Sequence, residues 1–84
     1  MVASLSRFAF LVEGRMGPRG FYRHFDVAAD DLAGAKAVAS AVILKDGGTV
    51  SGFDDVVEHG PAPAMRSPRV MAVTGYSLFP LPEA

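Results

Sequence analysis

Two apolar runs of period-two alternation, separated by a glycine-rich segment, constrain this chain more than anything else in it. Phe8, Phe10 and Val12 alternate with Arg7, Ala9, Leu11 and Glu13, the pattern of a strand with one buried face, so the first strand is predicted at roughly 5–13. Beyond Gly14-Arg15-Met16-Gly17-Pro18-Arg19-Gly20 the alternation resumes. Phe21, Arg23, Phe25 and Val27 fall on one side, Tyr22, His24 and Asp26 on the other. The segment 14–20 is predicted as the connection, its glycines and proline suiting a tight turn, and the two strands as an antiparallel hairpin.

Asp30 and Asp31 then offer N-caps whose carboxylates suit the positive end of a helix dipole. Leu32, Ala35, Ala39 and Val42 recur at helical spacing, with Val38 and Ile43 widening the stripe, which predicts a helix from Leu32 to Leu44 lying on the sheet. Lys45-Asp46-Gly47-Gly48 supplies a cation and a left-handed cap to end it. Thr49–Phe53 and Val56–Glu58 read as a short strand interrupted at Gly52, with a single helical turn as the alternative for 53–58. The prolines at 61, 63 and 68 predict an exposed connection over 60–68, which also holds Met65 and Arg66. Val70–Phe79 is predicted as the last strand, apolar on both sides at Met71-Ala72-Val73 and therefore central. The order is β-β-α-β-β in one α+β domain, 1–84, with one helix on one face of a mainly antiparallel sheet.

Size and composition exclude much chemistry. With 84 residues there is one core, and a domain this small buries only about 60% of the surface its unfolded chain exposes, which argues against a self-contained enzyme around a buried cofactor. The chain has no cysteine, so it has no disulfide framework, thiolate metal site or cysteine nucleophile, and it suits a reducing compartment. Met1–Val12 carries Arg7 inside its apolar stretch and no small-residue cleavage pattern, so a cytoplasmic location is expected. The longest apolar run, Ala37–Leu44, is too short to span a bilayer.

The formal net charge is −1, which argues against a nucleic-acid partner. Charge is nevertheless uneven along the chain. Residues 1–24 hold four arginines against Glu13, a net +3; residues 25–60 hold seven acids against Lys36 and Lys45, a net −5; the rest is +1.

Each candidate site competes with a plainer reading. Gly14, Gly17 and Gly20 imitate a phosphate loop flanked by Arg15 and Arg19, yet they lead into a strand rather than a helix N-terminus, so a turn is the better reading. His24 and Asp26 share a strand face about 7 Å apart, a spacing that permits a general-base pair, but no strained glycine-flanked nucleophile accompanies them and no catalytic residue is assigned. Asp54, Asp55, Glu58 and His59 form the densest acidic cluster. They lack the alternating oxygen ligands and central glycine of a calcium loop, and two histidines without cysteine make a poor zinc site, so no metal or cofactor is assigned. The cluster reads as a solvated turn, or as an acidic patch that meets a basic protein or mimics nucleic acid. At the end of the chain Tyr76, Leu78, Phe79 and Leu81 need cover. Either the 80–84 tail folds back with them onto the core, or they pack on a second chain, as a homodimer or in a heteromeric interface.

The run Phe8-Ala9-Phe10-Leu11-Val12-Glu13-Gly14, the run Gly20-Phe21-Tyr22-Arg23-His24-Phe25-Asp26-Val27-Ala28-Ala29-Asp30-Asp31, and the helix with Ala35 and Ala39 together resemble the small cytoplasmic immunity proteins of bacterial polymorphic-toxin systems. The resemblance is one of layout and covers about half of the chain. It implies a protein that binds and blocks a toxin's active site, with no contact residues to carry over, because these differ with each toxin. The expected function is a non-enzymatic inhibitor of a cognate toxin or effector, acting by steric and electrostatic occlusion. Its candidate contacts are Arg15, Arg19, Tyr22, Arg23, His24, Asp54, Asp55, Glu58 and Tyr76. The alternative is a small nucleic-acid-binding or phage-type regulatory protein using Arg15, Arg19 and Arg23.

Overall fold

The computed structural model describes residues 5–62 and 67–82. Its elements are β1 (Ser6–Met16), β2 (Arg19–Ala29), α1 (Leu32–Lys45), β3 (Thr49–Pro61), β4 (Arg69–Val73) and β5 (Ser77–Pro80). All strand pairings are antiparallel, in the order β3-β1-β2-β4, with β5 also on β2. The α+β class, with the one helix of the described residues on one face of an antiparallel sheet, agrees with the sequence reading; the expected last strand is present as two, so the order is β-β-α-β-β-β.

The hairpin is longer and tighter than its glycines predict. Met16 pairs with Arg19, so only Gly17 and Pro18 make the turn. Gly17 takes φ +60 and the proline ring holds φ near −65°, the sign pattern of a type II′ turn with glycine first. The expected 14–20 loop is therefore corrected to two residues, and Gly14 and Gly20 are strand residues. Their role is close approach. A Cβ on Gly14 would lie 1.9 Å from the Thr49 carbonyl oxygen, and one on Gly20 2.5 Å from the Phe79 ring.

Register then separates the faces, because directly paired residues point the same way. Phe8 pairs with Val27 and Phe10 with Phe25, and these join Val12, Phe21 and Ala29 beneath Ala35, Ala39 and Ile43 of the helix in one core. Ala35, Ala39 and Ile43 are fully buried, and their four-residue spacing forms the stripe that rests on the sheet. Asp31 caps the helix by accepting from the Gly34 N–H at 2.7 Å. At the other end Gly47, with φ +88, donates to the Leu44 carbonyl at 3.0 Å and Gly48 to that of Ile43 at 2.9 Å, the two bonds of a Schellman cap.

The expected short strand after the helix is a 13-residue edge strand. It accommodates Gly52 and the Asp54-Asp55 pair by register shifts: β3 runs alongside residues 6–15 of β1 with three irregularities, between Arg7/Phe8, Ala9/Leu11 and Glu13/Gly14. Asp55 takes φ +53 at the middle one, a left-handed conformation that aspartate tolerates better than most residues. The 60–68 connection is correspondingly shorter, since Gly60 and Pro61 belong to β3; Pro63, Met65 and Arg66 lie outside the described residues. The expected single strand 70–79 is divided into β4 and β5, both paired to β2. It is peripheral rather than central, with Met71, Val73 and Leu78 exposed. Across the sheet from the helix, Leu5, Ala28 and Ala62 form a small second cluster.

Candidate partner-binding face

One side of the sheet carries the helix; among the described residues only Leu5 and Ala62 pack on part of the other, against Ala28. The residues on that side follow from register with the core positions. β1 contributes Arg7, Ala9, Leu11 and Glu13, and β2 contributes Tyr22, His24 and Asp26 opposite them. Asp54 and Val57 of β3 are paired to Leu11 and Ala9, Ala72 of β4 to Asp26, and Phe79 of β5 to Gly20.

The apolar part of this face is partly exposed. Tyr22 is 41% exposed and Val57 48%. Tyr22 stacks on Phe79, with ring centroids 4.9 Å apart, so the chain's apolar end is spread over β2 of the same molecule. The charged part has two arrangements. The Arg7 Nε donates to Asp26 Oδ1 at 3.2 Å, which neutralises both. Glu13 and Asp54 instead lie within hydrogen-bonding reach of each other, and that hydrogen bond, followed by the Asp54 charge and partial desolvation, raises the Glu13 pKa above the ordinary glutamate value. A shallow groove of about 200 Å³ beside β4 is lined by His24, Asp26, Ala72, Val73 and Thr74. Its rim is fixed by the His24 N–H donating to Thr74 Oγ1 at 3.0 Å and the Thr74 N–H donating to the His24 carbonyl at 3.0 Å.

On the helix side a clasp uses two of the sequence candidates for packing. Arg23 alternates with the buried Phe21 and Phe25, so its stem crosses the core edge and only 14% of its side chain is exposed. Its Nε donates to the Thr74 carbonyl at 2.7 Å and its Nη1 to Asp46 Oδ2 at 3.3 Å. The guanidinium carbon stands 4.1 Å from the centroid of the Tyr76 ring, within cation–π range. The Tyr76 hydroxyl donates to the same Asp46 oxygen at 2.6 Å, and its ring meets Phe21 edge-on at 5.2 Å. Desolvation and the Asp46 hydrogen bond raise the Tyr76 pKa, with the Arg23 charge opposing them. The clasp ties the end of α1 to β2 and to the β4–β5 connection.

The nine residues singled out in the sequence are thus dispersed. Tyr22, His24 and Asp54 lie on the helix-free face, and Asp55 at the middle irregularity of β3. Glu58 is paired to Phe8 and so belongs to the helix side of the edge strand. Arg15 and Arg19 are exposed at the hairpin end, and Arg23 and Tyr76 are held in the clasp. His24 and Asp26 do share a face, but the Asp26 carboxylate accepts from Arg7. Sequence reasoning missed Glu13, Val57 and Asp46. The first two needed the register of β3 against β1; the third needed the fold of the β4–β5 connection.

Among the described residues no three histidine or acidic side chains converge as a metal site, and no helix is long and apolar enough to cross a membrane. Fold and face define a small two-layer α+β domain with most of one sheet surface uncovered among the described residues. Compared with known protein families, curated proteins and solved structures, the chain gives no match.

Proposed function

We propose that this chain is a protein-binding module, an inhibitor of immunity type that acts in the cytoplasm by covering the working surface of a cognate toxin or effector. The observation that carries the reading is the uncovered sheet face, where Leu11, Tyr22 and Val57 are interleaved with Glu13, His24 and Asp54. An aromatic anchor among apolar side chains, surrounded by charge, is the composition from which interface hot spots and selective association are built. The molecule's two longer dimensions, 53 and 22 Å, leave room for the ~800 Å² per partner of a standard interface. The layout resemblance to immunity proteins supports the same reading.

The nucleic-acid alternative is supported less. Of its three arginines, Arg23 is engaged with Asp46, the Thr74 carbonyl and the Tyr76 ring, leaving two at the hairpin end.

The test is co-expression with the protein encoded beside it. Rescue of growth from that protein's toxicity and joint purification are expected. A chain that gives no rescue and stays monomeric without a retained partner at low salt overturns the reading.

A further inference from the structure

The helix-free face divides by charge, and the division specifies a partner. Among the described residues its β2–β4 half is free of unpaired carboxylates, because Asp26 is met by Arg7 of β1, and the exposed Arg69 of β4, paired to Ala28, faces the same way. Its β1–β3 half is not free of them. Among the described residues neither Glu13 nor Asp54 has a salt bridge, although the two lie on the same face of adjacent strands, Glu13 paired to Gly52 and Asp54 to Leu11. Arg15, two residues along β1, is exposed and makes no ion pair with Glu13. β3 adds Asp55 at its middle irregularity and has no lysine or arginine from Thr49 to Pro61. Beside these carboxylates Val57, paired to Ala9, is 48% exposed. Like charges held together beside exposed apolar side chains are unfavourable in the free protein, and a cation arriving with apolar cover relieves both terms at once.

We propose that this half of the face, centred on Leu11, Glu13, Tyr22, Asp54 and Val57, docks a basic protein surface. The partner's arginine or lysine side chains end on the Glu13–Asp54 pair, and its apolar side chains cover Leu11, Tyr22 and Val57. This rests on the reading of the chain as a protein-binding module and adds the chemistry of what it binds. A second copy of the chain fits poorly, since a two-fold contact centred here sets carboxylates against carboxylates; nucleic acid is repelled for the same reason. Docking uses the face rather than strand addition at the β3 edge, because three register irregularities interrupt the ladder an added strand would need.

The probe is a capped nine-residue peptide of alternating arginine and leucine, compared with versions carrying glutamine or glutamate in place of arginine. Binding is followed by amide chemical shifts of the whole chain, and the oligomeric state by sedimentation. The arginine peptide is expected to move the amides of residues 9–13, 22–24 and 54–58, and to bind about tenfold more weakly to Glu13→Gln/Asp54→Asn, a variant that keeps the shape of both side chains. Thermal melts confirm that the variant is folded. Equal binding by the glutamine or glutamate peptide, undiminished binding to the variant, shifts centred on the helix or hairpin end, or self-association through the same residues each overturns the proposal. Failed growth rescue with the peptide mapping intact removes the inhibitor reading and leaves the basic-surface docking site. Rescue with the mapping lost does the reverse.

Discussion

The Arg23–Asp46–Tyr76 clasp is the arrangement whose energetics can be tested most directly, by a double-mutant cycle on Tyr76→Phe and Asp46→Asn. Tyr76→Phe removes only the hydroxyl that donates to Asp46 at 2.6 Å; the edge-on contact with Phe21 and the place over the Arg23 guanidinium stay. A hydrogen bond to a charged acceptor contributes about 1.5–3 kcal/mol when well buried. The Asp46 side chain is 44% exposed, and water competes for that carboxylate, so the expected loss is about 1 kcal/mol. For a domain of this size that is a fall in Tm of about 4–8 °C. Asp46→Asn weakens the same hydrogen bond and the Arg23 ion pair, so the two substitutions together should destabilise by less than their sum, with a coupling of about 0.5–1 kcal/mol. The pH dependence gives an independent sign. The folded-state pKa of Tyr76 is raised, first by burial and then by the Asp46 hydrogen bond. Its contribution is therefore complete below the ordinary tyrosine value of about 10 and is lost as pH rises through the higher folded value. Urea unfolding of wild type and Tyr76→Phe from pH 7 to pH 11 should show the difference between them shrinking above pH 10. A coupling under about 0.3 kcal/mol, or a difference constant across that range, refutes the clasp as a source of stability.

Gly14→Ala places a Cβ 1.9 Å from a backbone oxygen, that of Thr49, so β1 and β3 must separate; the expected cost is at or above the upper end of the ~1–3 kcal/mol of overpacking. Gly52→Ala is the control on the neighbouring strand, since the nearest atom there is 3.8 Å away and the substitution should be neutral or stabilise by up to ~1 kcal/mol. Equal melting temperatures for the two variants would remove close approach as the reason for glycine at 14. Glu13→Gln should melt higher than wild type at pH 7. The folded pKa of Glu13 is raised, largest through its hydrogen bond with Asp54, so its stabilising contribution is present below the ordinary glutamate value of about 4.3 and lost as pH rises through the raised one. The advantage of Glu13→Gln should close by pH 4, and melts at the two pH values that differ by the same amount would contradict it.

The hairpin and the helix were legible because each rests on one local periodicity. Alternation at Phe8, Phe10 and Val12 and at Phe21, Phe25 and Val27 fixes which side meets the helix, and Asp31, Gly47 and Gly48 punctuate the helix with caps the structure uses. What misled was glycine and acid inside strands. Gly14 and Gly20 read as turn residues, yet they serve to let Thr49 and Phe79 come close. Gly52, Asp54 and Asp55 read as a break, yet a bulged edge strand absorbs all three. Such irregularities are tertiary: they depend on which strand lies alongside, and no window of local sequence contains that. The apolar run Met71-Ala72-Val73 misled in the opposite sense. It sits at the periphery, with Met71 and Val73 exposed, because β2 is flanked by β1 on one side and by β4 and β5 on the other.

The charge of the candidate site has the same origin. Counted along the chain, residues 1–24 are basic and 25–60 acidic, which suggests a bipolar surface. Folding cancels much of that contrast in pairs, since Arg7 goes to Asp26 and Arg23 to Asp46. Parity decides the second pairing: the odd-numbered positions of β2 face the helix, which carries Arg23 across the core edge to the helix cap. Of the acids on the sheet, those of β3 and Glu13 of the strand it pairs with have no arginine partner among the described residues. An exposed ion pair contributes little to stability, so the weight of the two pairings lies in where they leave the remaining charge. Two arginines that sequence position alone would assign to a basic patch neutralise the acids of β2 and the helix end. That leaves Glu13 and Asp54 unpaired on the helix-free face, beside Val57 and Tyr22.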